Sequence, residues 1–270
     1  MTRDSFSDGG RFFEPAAAIS HADGLIAGGA DAIDVGAASS HPESEAVSHE
    51  EQMRRLLPVL SALRDRKVEI SVDTQNPRTQ EACLEIGVDY LNDVDGFCEP
   101  RIYPKLASAS CKLVVMHSVL HAPTGRSTDE NSLIDAICGF FERRIGDLVS
   151  AGVDRERLVL DPGMGLFLGP TPESSLRVLR ELPAFRKRFD LPLMVSVSRK
   201  SFLGAVTGRE VAERGAATLA AELCAVDRGA DYIRTHDVSA LSDALAFRRA
   251  FNAGSVPAAA DGVTEPVDLD

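Results

Sequence analysis

Acids, amides and cations recur at one kind of place in this sequence, directly after a short apolar run. "ISVDT" carries Asp73, "YLNDVDG" carries Asn92 and Asp93, and "VVMHS" ends in Met116, His117 and Ser118. "VLDPGMG" carries Asp161, "MVSVSRK" ends in Ser198, Arg199 and Lys200, and "YIRTHD" carries Arg234 and His236. Any single one has a plain structural reading: an Asp after a strand often caps the next helix, and a lone histidine such as His117 reads as a core or rim residue. The set together asks for chemistry. Two carboxylates with an amide (Asp73, Asp161, Asn92) suit a flat heterocycle with several N–H donors and ring acceptors. Arg234 with His236 suits a phosphate or pyrophosphate. Adjacent cations at a buried strand end, Arg199 and Lys200, require paired acids or an anionic ligand. One mouth would thus recognise a nitrogen heterocycle and a leaving phosphate.

Such convergence needs elements that all end at the same face. Seven short runs rich in Val, Ile and Leu read as buried parallel strands: 32–35, 68–72, 90–94, 113–116, 158–160, 193–197 and 232–233. Helical periodicity lies between them, as in 50–63, where Met53, Leu56, Leu57 and Leu60 form one stripe. Gly29-Ala30-Asp31, Gly87-Val88-Asp89, Gly152-Val153-Asp154 and Gly229-Ala230-Asp231 each fall between a helix and the next strand. Gly just past a helix takes the left-handed conformation that ends it, so the four copies read as one β/α unit used repeatedly, as in a barrel. In barrels and doubly wound sheets alike, ligands sit at the carboxyl ends of the strands.

Composition narrows the classes. The chain of 270 residues is long enough for one large domain, and a net charge of -12 speaks against a nucleic-acid binder. No apolar stretch reaches membrane-spanning length. Five scattered cysteines without CxxC spacing read as reduced intracellular thiols, consistent with a cytoplasmic protein. The segment 253–270, rich in Ala, Pro, Gly and Asp, reads as a disordered tail behind a domain covering 1–252.

The motifs, in their order and spacing, resemble dihydropteroate synthase. "DSFSDGG" (4–10), "IDVGAASSHP" (33–42), "SVDT", "LNDVDGF", "VVMHS", "LDPGMG", "VSRKSFLG" and "RTHD" carry the resemblance, which covers residues 2 to about 250. It implies an α/β fold, a (β/α)8 TIM barrel that joins 6-hydroxymethyl-7,8-dihydropterin pyrophosphate to p-aminobenzoate with release of pyrophosphate. It further implies Mg²⁺ as cofactor and a homodimer that binds these small molecules and no nucleic acid or membrane. By position, Asp73, Asn92, Asp161 and Lys200 would hold the pterin, with Met116 against its face; Lys200, Asp73 and Asp161 would carry catalysis. Ser40, His41, Arg234 and His236 would face the pyrophosphate. Ser5 and Phe6 in the first loop, with Phe167, Ser198 and Arg199, would form the p-aminobenzoate site.

Three departures from the family pattern stand out. The family's opening strand, ending in the Asn that ligates Mg²⁺, has no counterpart in Met1-Thr2-Arg3-Asp4, so the protein's own metal ligand is unassigned and an upstream strand is expected. Ser40-His41-Pro42 stands where Thr-Arg-Pro is usual, which exchanges a permanent cation for a pH-dependent one. Gly165-Leu166-Phe167-Leu168-Gly169 replaces the usual Gly-Phe-Gly-Lys. The last two resemble the acquired, sulfonamide-insensitive branch. A pterin-binding methyltransferase domain would share the acid and amide pocket but has no need of the SRKSF and Arg/His motifs; the missing first strand leaves room for a non-catalytic pterin-binding barrel.

Overall fold

Strand and helix alternate through the computed structural model, which describes residues 14–39, 44–120 and 132–253. In chain order these are α1 (Pro15–Ala27), β1 (Ala32–Gly36), α2 (His49–Arg64), β2 (Glu69–Asp73), α3 (Pro77–Ile86), β3 (Tyr90–Asp93), α4 (Tyr103–Ser108) and β4 (Lys112–Met116). There follow α5 (Leu133–Ser150), β5 (Leu158–Asp161), α6 (Pro172–Phe189), β6 (Met194–Val195), α7 (Ser201–Thr207), α8 (Gly215–Asp227), β7 (Tyr232–Ile233) and α9 (Val238–Ala253). The seven runs read as strands are all strands. The sixth shrinks from 193–197 to two residues, because Val197 already belongs to the next turn: its C=O accepts from the Lys200 N–H at 3.2 Å. The helix read over 50–63 is α2, entered through Ser48, whose hydroxyl accepts from the Glu51 N–H at 3.2 Å.

The four Gly-small-Asp turns are one structure repeated. In each, the Gly N–H bonds three residues back and the following N–H five back, as in Gly229 to Val226 and Ala230 to Ala225, both at 3.0 Å. This double bond is the Schellman stop, and it needs a left-handed residue; the four glycines have φ between +81° and +97°. At two of these turns the Asp then pins the neighbouring strand: Asp89 accepts from Ile70 N–H and Asp231 from Leu193 N–H, both at 2.8 Å.

β1 to β5 pair in sequence order, all parallel, and β6 pairs parallel with β7. A parallel bridge between Leu160 and Leu193 joins the two groups. The sheet winds round on itself. At its N-terminal end Lys112 of β4 donates to Tyr232 OH of β7 at 3.0 Å and to Tyr90 OH of β3 at 3.2 Å. The Tyr90 and Tyr232 rings meet edge to face at 6.0 Å. At the other end Arg234, just past β7, returns to Asp34 of β1 and Asp73 of β2. The helical layer closes as well, since a Cβ added to Gly28 after α1 would lie 2.6 Å from Ser239 Oγ of α9. Between strands and helices lies a continuous apolar layer that includes Leu56, Leu60, Leu91, Leu113, Leu158, Phe141 and Phe185.

α9 runs through Ala253, so the expected tail begins no earlier than 254, outside the described residues.

Candidate active site

Strand register alone assembles most of the mouth. Asp73 lies opposite Asn92 in the β2–β3 pair, and Met116 lies opposite Asp161 in the β4–β5 pair. Asn92 is 2% exposed, and its Oδ1 has no hydrogen-bond partner among the described residues. A buried acceptor left unpaired costs about 1–3 kcal/mol, so this amide is built for a donor from outside the chain.

Asp161 is 1% exposed. Gly163 N–H donates to its Oδ1 at 2.8 Å, and Ser196 Oγ lies 3.4 Å from its Oδ2. That first bond needs the chain to fold back tightly at Gly163, φ +77°, where a Cβ would sit 2.5 Å from the His117 carbonyl oxygen; no other residue fits. Burial pushes the Asp161 pKa up, against the Gly163 N–H and the Lys200 and Arg234 charges. Burial likewise raises Asp73 to about 6, with Arg234 opposing and Asp34 adding to the rise.

Lys200 lies between the loop after β5 and the acids. Its Cδ would be 3.2 Å from a Cβ on Gly165, and its Nζ stands 4.9 Å from the centre of the Phe167 ring. Burial, then the Arg234 charge, depress its pKa to about 8, against Asp161 and Asp73. The lysine therefore remains a cation at neutral pH.

Arg234 divides itself between two acids. Its Nη1 is 3.1 Å from Asp34 Oδ2 and 3.2 Å from Asp73 Oδ2. Burial works against its charge, but Asp34, Asp73 and Asp161 outweigh that and hold its pKa above the ordinary arginine value. Asp34 is fixed in turn by Ser71, whose hydroxyl donates at 2.6 Å. Sequence reasoning missed Asp34 because it looked only past strand ends. The available signal was an acid in the middle of "AIDVG".

Ser198 is committed to His236: its Oγ lies 2.8 Å from Nδ1 and accepts from the His236 N–H at 3.3 Å. These bonds tie the chain after β6 to the chain after β7. Phe167 is 6% exposed and packs with Val94 and Met116, while its carbonyl accepts from the Val119 N–H at 2.9 Å. Its ring thus packs inward, against the ends of β3 and β4. A cleft beside it is lined by Gly165, Gly169, Thr171, Ser201, Phe202 and Ala205 among others. Ser201, the first residue of α7 and the second hydroxyl of the Ser198-Arg199-Lys200-Ser201 run, was given no role from the sequence. Ser5, Phe6, Ser40 and His41 lie outside the described residues. His117 is the buried residue expected of it. Its ring meets Phe140 edge to face at 5.2 Å, and burial pulls its pKa down to about 4.

Among the described residues no three His, Cys, Asp or Glu side chains gather as a metal cage. The nearest acids, Asp34 and Asp73, are both engaged by Arg234, so the described mouth does not fit a Mg²⁺ held by protein ligands alone.

Glu222 of α8 is 1% exposed. Burial pushes its pKa from 4.5 up to about 7, with the Thr235 side chain opposing. An acid whose pKa is higher folded than unfolded binds more protons in the folded state, so stability falls as pH rises from about 4.5 to about 7. Glu222→Gln is expected to remove that slope and to stabilise the protein at pH ~8 by roughly 1–3 kcal/mol. Melting curves at pH ~5 and ~8 test this; a difference from the parent that is equal at both would contradict it.

The family profile described as pterin binding enzyme matches residues 1–236. The chain is 50% identical over 252 residues to dihydropteroate synthase type-3 of Escherichia coli, spanning 93% of this chain and 96% of that one. It is 52% identical over 247 residues to the type-2 enzyme of the same organism, spanning 91% of each. Among solved structures, the Yersinia pestis dihydropteroate synthase in complex with a sulfonamide drug superposes with a TM-score of 0.84 at 32% identity, covering 93% of this chain and 91% of that one. The Xanthomonas albilineans dihydropteroate synthase in complex with 7,8-dihydropteroate gives 0.77 at 33% identity, covering 88% of each.

Proposed function

Since the chain belongs to the dihydropteroate synthases of the pterin-binding enzyme family, we infer how its own residues divide the work of that reaction. The enzyme condenses 6-hydroxymethyl-7,8-dihydropterin pyrophosphate with p-aminobenzoate to 7,8-dihydropteroate and pyrophosphate, a step of folate synthesis on a TIM barrel. The observation that carries the residue assignment is the unpaired, buried Asn92 Oδ1 beside Asp73. With Asp161 across the mouth, the three offer acceptors to the N–H edge of the pterin. Lys200 supplies the donor to a ring acceptor, and Met116 with Phe167 forms the apolar wall. Arg234 and His236 take the pyrophosphate; Arg234 is already at the mouth, held between Asp34 and Asp73.

In the reaction the bond from the methylene carbon to the ester oxygen breaks, and its electron pair leaves on pyrophosphate. Arg234 and His236 stabilise that growing charge. The positive charge left on the pterin is met by Asp73 and Asp161. The p-aminobenzoate nitrogen, placed by the cleft beside Ser201 and Phe202, bonds to the methylene and releases one proton; positioning makes this weak nucleophile effective. Any Mg²⁺ would draw its ligands mainly from the pyrophosphate oxygens and water and would supply neutralisation of the leaving group's charge. Among the described residues no helix is long and apolar enough to cross a membrane. We further propose a cytoplasmic homodimer; a monomer mass by sedimentation would count against the dimer.

The test is turnover of the purified chain with both substrates, which separates the synthase from a methyltransferase domain or a non-catalytic binder. Asp73 has to be ionised and Lys200 protonated, so kcat/KM for the pterin substrate is expected to rise through about pH 6 and fall through about pH 8. A profile flat from pH ~5 to ~9 would contradict these roles.

A further inference from the structure

Arg199 sits in the left-handed region at φ +58°, which residues other than glycine seldom adopt unless their surroundings impose it. Both of its peptide groups are gripped by side chains of one helix. The Arg199 N–H donates to Thr218 Oγ1 at 3.1 Å, and its C=O accepts from Arg214 Nη1 at 3.0 Å. Arg214 enters α8 and Thr218 lies in its first turns, four residues on, so the two share a face. Thr218 is 4% exposed, which leaves its hydroxyl no water to prefer.

Arg214 is itself fixed. Its Nε donates to the Arg209 carbonyl at 3.0 Å, and its guanidinium lies so close to α7 that a Cβ on Gly204 would be 2.4 Å from Nη2. A larger residue at position 204 would push this guanidinium from its place. Neither Thr218 nor Arg214 is among the groups assigned to the substrates. What they hold is the residue just before Lys200, whose own N–H closes the turn on the Val197 carbonyl at 3.2 Å. With Arg199 left-handed, the Lys200 side chain runs over Gly165 to the Phe167 ring.

We propose that Thr218 and Arg214 are positioning residues for the synthase reaction, which hold the Arg199 peptide in its left-handed form and thereby aim Lys200 into the pterin pocket. The proposal rests on the assignment of Lys200 to the pterin. It gives a role to Thr218, a polar side chain on the inner face of α8, and to the arginine that precedes that helix. It also predicts that their removal is felt at one substrate more than the other.

The experiment compares Thr218→Val, which keeps the shape and loses the hydroxyl, with Thr218→Ser, which keeps the hydroxyl, and with Lys200→Ala. Steady-state constants for both substrates and thermal melting are measured for each. Thr218→Val is expected to raise the KM of the pterin pyrophosphate and lower kcat, together a loss of roughly tenfold to a hundredfold in kcat/KM. The KM of p-aminobenzoate, to whose site Arg199 itself is assigned, should move less than that of the pterin pyrophosphate, and Thr218→Ser should stay close to the parent. If Thr218→Val fails to fold, Thr218→Ala gives the same comparison with a smaller side chain. A variant that melts lower but keeps the parent's pterin KM and kcat would overturn the proposal and leave Thr218 a packing residue. Failure of the Lys200 assignment looks different: Lys200→Ala itself would then leave the pterin constants unchanged.

Discussion

Lys200→Ala is expected to lower kcat/KM for the pterin substrate by at least a hundredfold, with little loss of folded stability. Removing one preorganised charged donor at a reacting site costs on the order of 2.7–4 kcal/mol of transition-state stabilisation. Here the loss is compounded. Lys200 is one of the charges that resist protonation of Asp161, so without it burial pushes that carboxyl further up and weakens its hold on the cationic pterin. Stability should respond weakly, because the cation is only partly favoured where it is: burial already depresses its pKa to about 8. Its contact with Phe167 is worth about 0.5–2 kcal/mol, offset by the release of a desolvated charge. Lys200→Met, which keeps the stem over Gly165, should show the same kinetic loss and nearly the parent's melting temperature. Either variant retaining the parent's kcat/KM would remove Lys200 from the site.

The strand ends were legible because a parallel barrel turns a one-dimensional regularity into a spatial one. Once Asp73, Asn92, Met116 and Asp161 each stand at or next to the last residue of neighbouring strands, register does the rest. The four glycine turns were legible for a similar reason, since each is a local hydrogen-bond pattern with one conformational demand. Asp34 was not, as nothing local distinguishes an acid inside a strand from a solvated edge residue; its role appears only when Arg234 crosses from the far end of the chain. Ser198 was read as a substrate contact, and its engagement with His236 across β6 and β7 is again a long-range pairing. Thr218 and Arg214 had no signal at all, because helix patterning marks apolar inner faces and theirs is polar. Phe167 was read as part of the p-aminobenzoate site; the difference the structure adds is its inward packing with Met116 and Val94.

That last difference reshapes how drug discrimination should be tested. Sulfamethoxazole is expected to inhibit this enzyme poorly while p-aminobenzoate keeps a KM in the usual micromolar to millimolar range. The drug repeats the aniline but extends beyond the position of the substrate's carboxylate. A wall just outside the substrate's outline would therefore reject only the drug. Gly165 and Gly169 line the cleft against Ser201, Phe202 and Ala205, and Leu166-Phe167-Leu168 spans the distance between them. Loss of a favourable contact discriminates by only about 1–3 kcal/mol. Overlap with a packed wall costs more, because a dense interior cannot yield. Within this loop Phe167 and Leu168 are buried, which leaves Leu166 the half-buried member toward solvent. Replacing residues 165–169 by the Gly-Phe-Gly pattern usual in the family should therefore strengthen sulfamethoxazole inhibition by tenfold or more, with the p-aminobenzoate KM within about threefold. Phe167→Ala is the necessary contrast. It opens a cavity beside Met116 and takes the aromatic face from Lys200, so it should raise the pterin KM and cost roughly 3–5 kcal/mol of stability without selectively restoring inhibition. If the parent enzyme is already as drug-sensitive as an ordinary dihydropteroate synthase, the loop is no wall. If Phe167→Ala alone restores inhibition and leaves the pterin constants unchanged, the wall is the phenyl ring and not the loop's path around it.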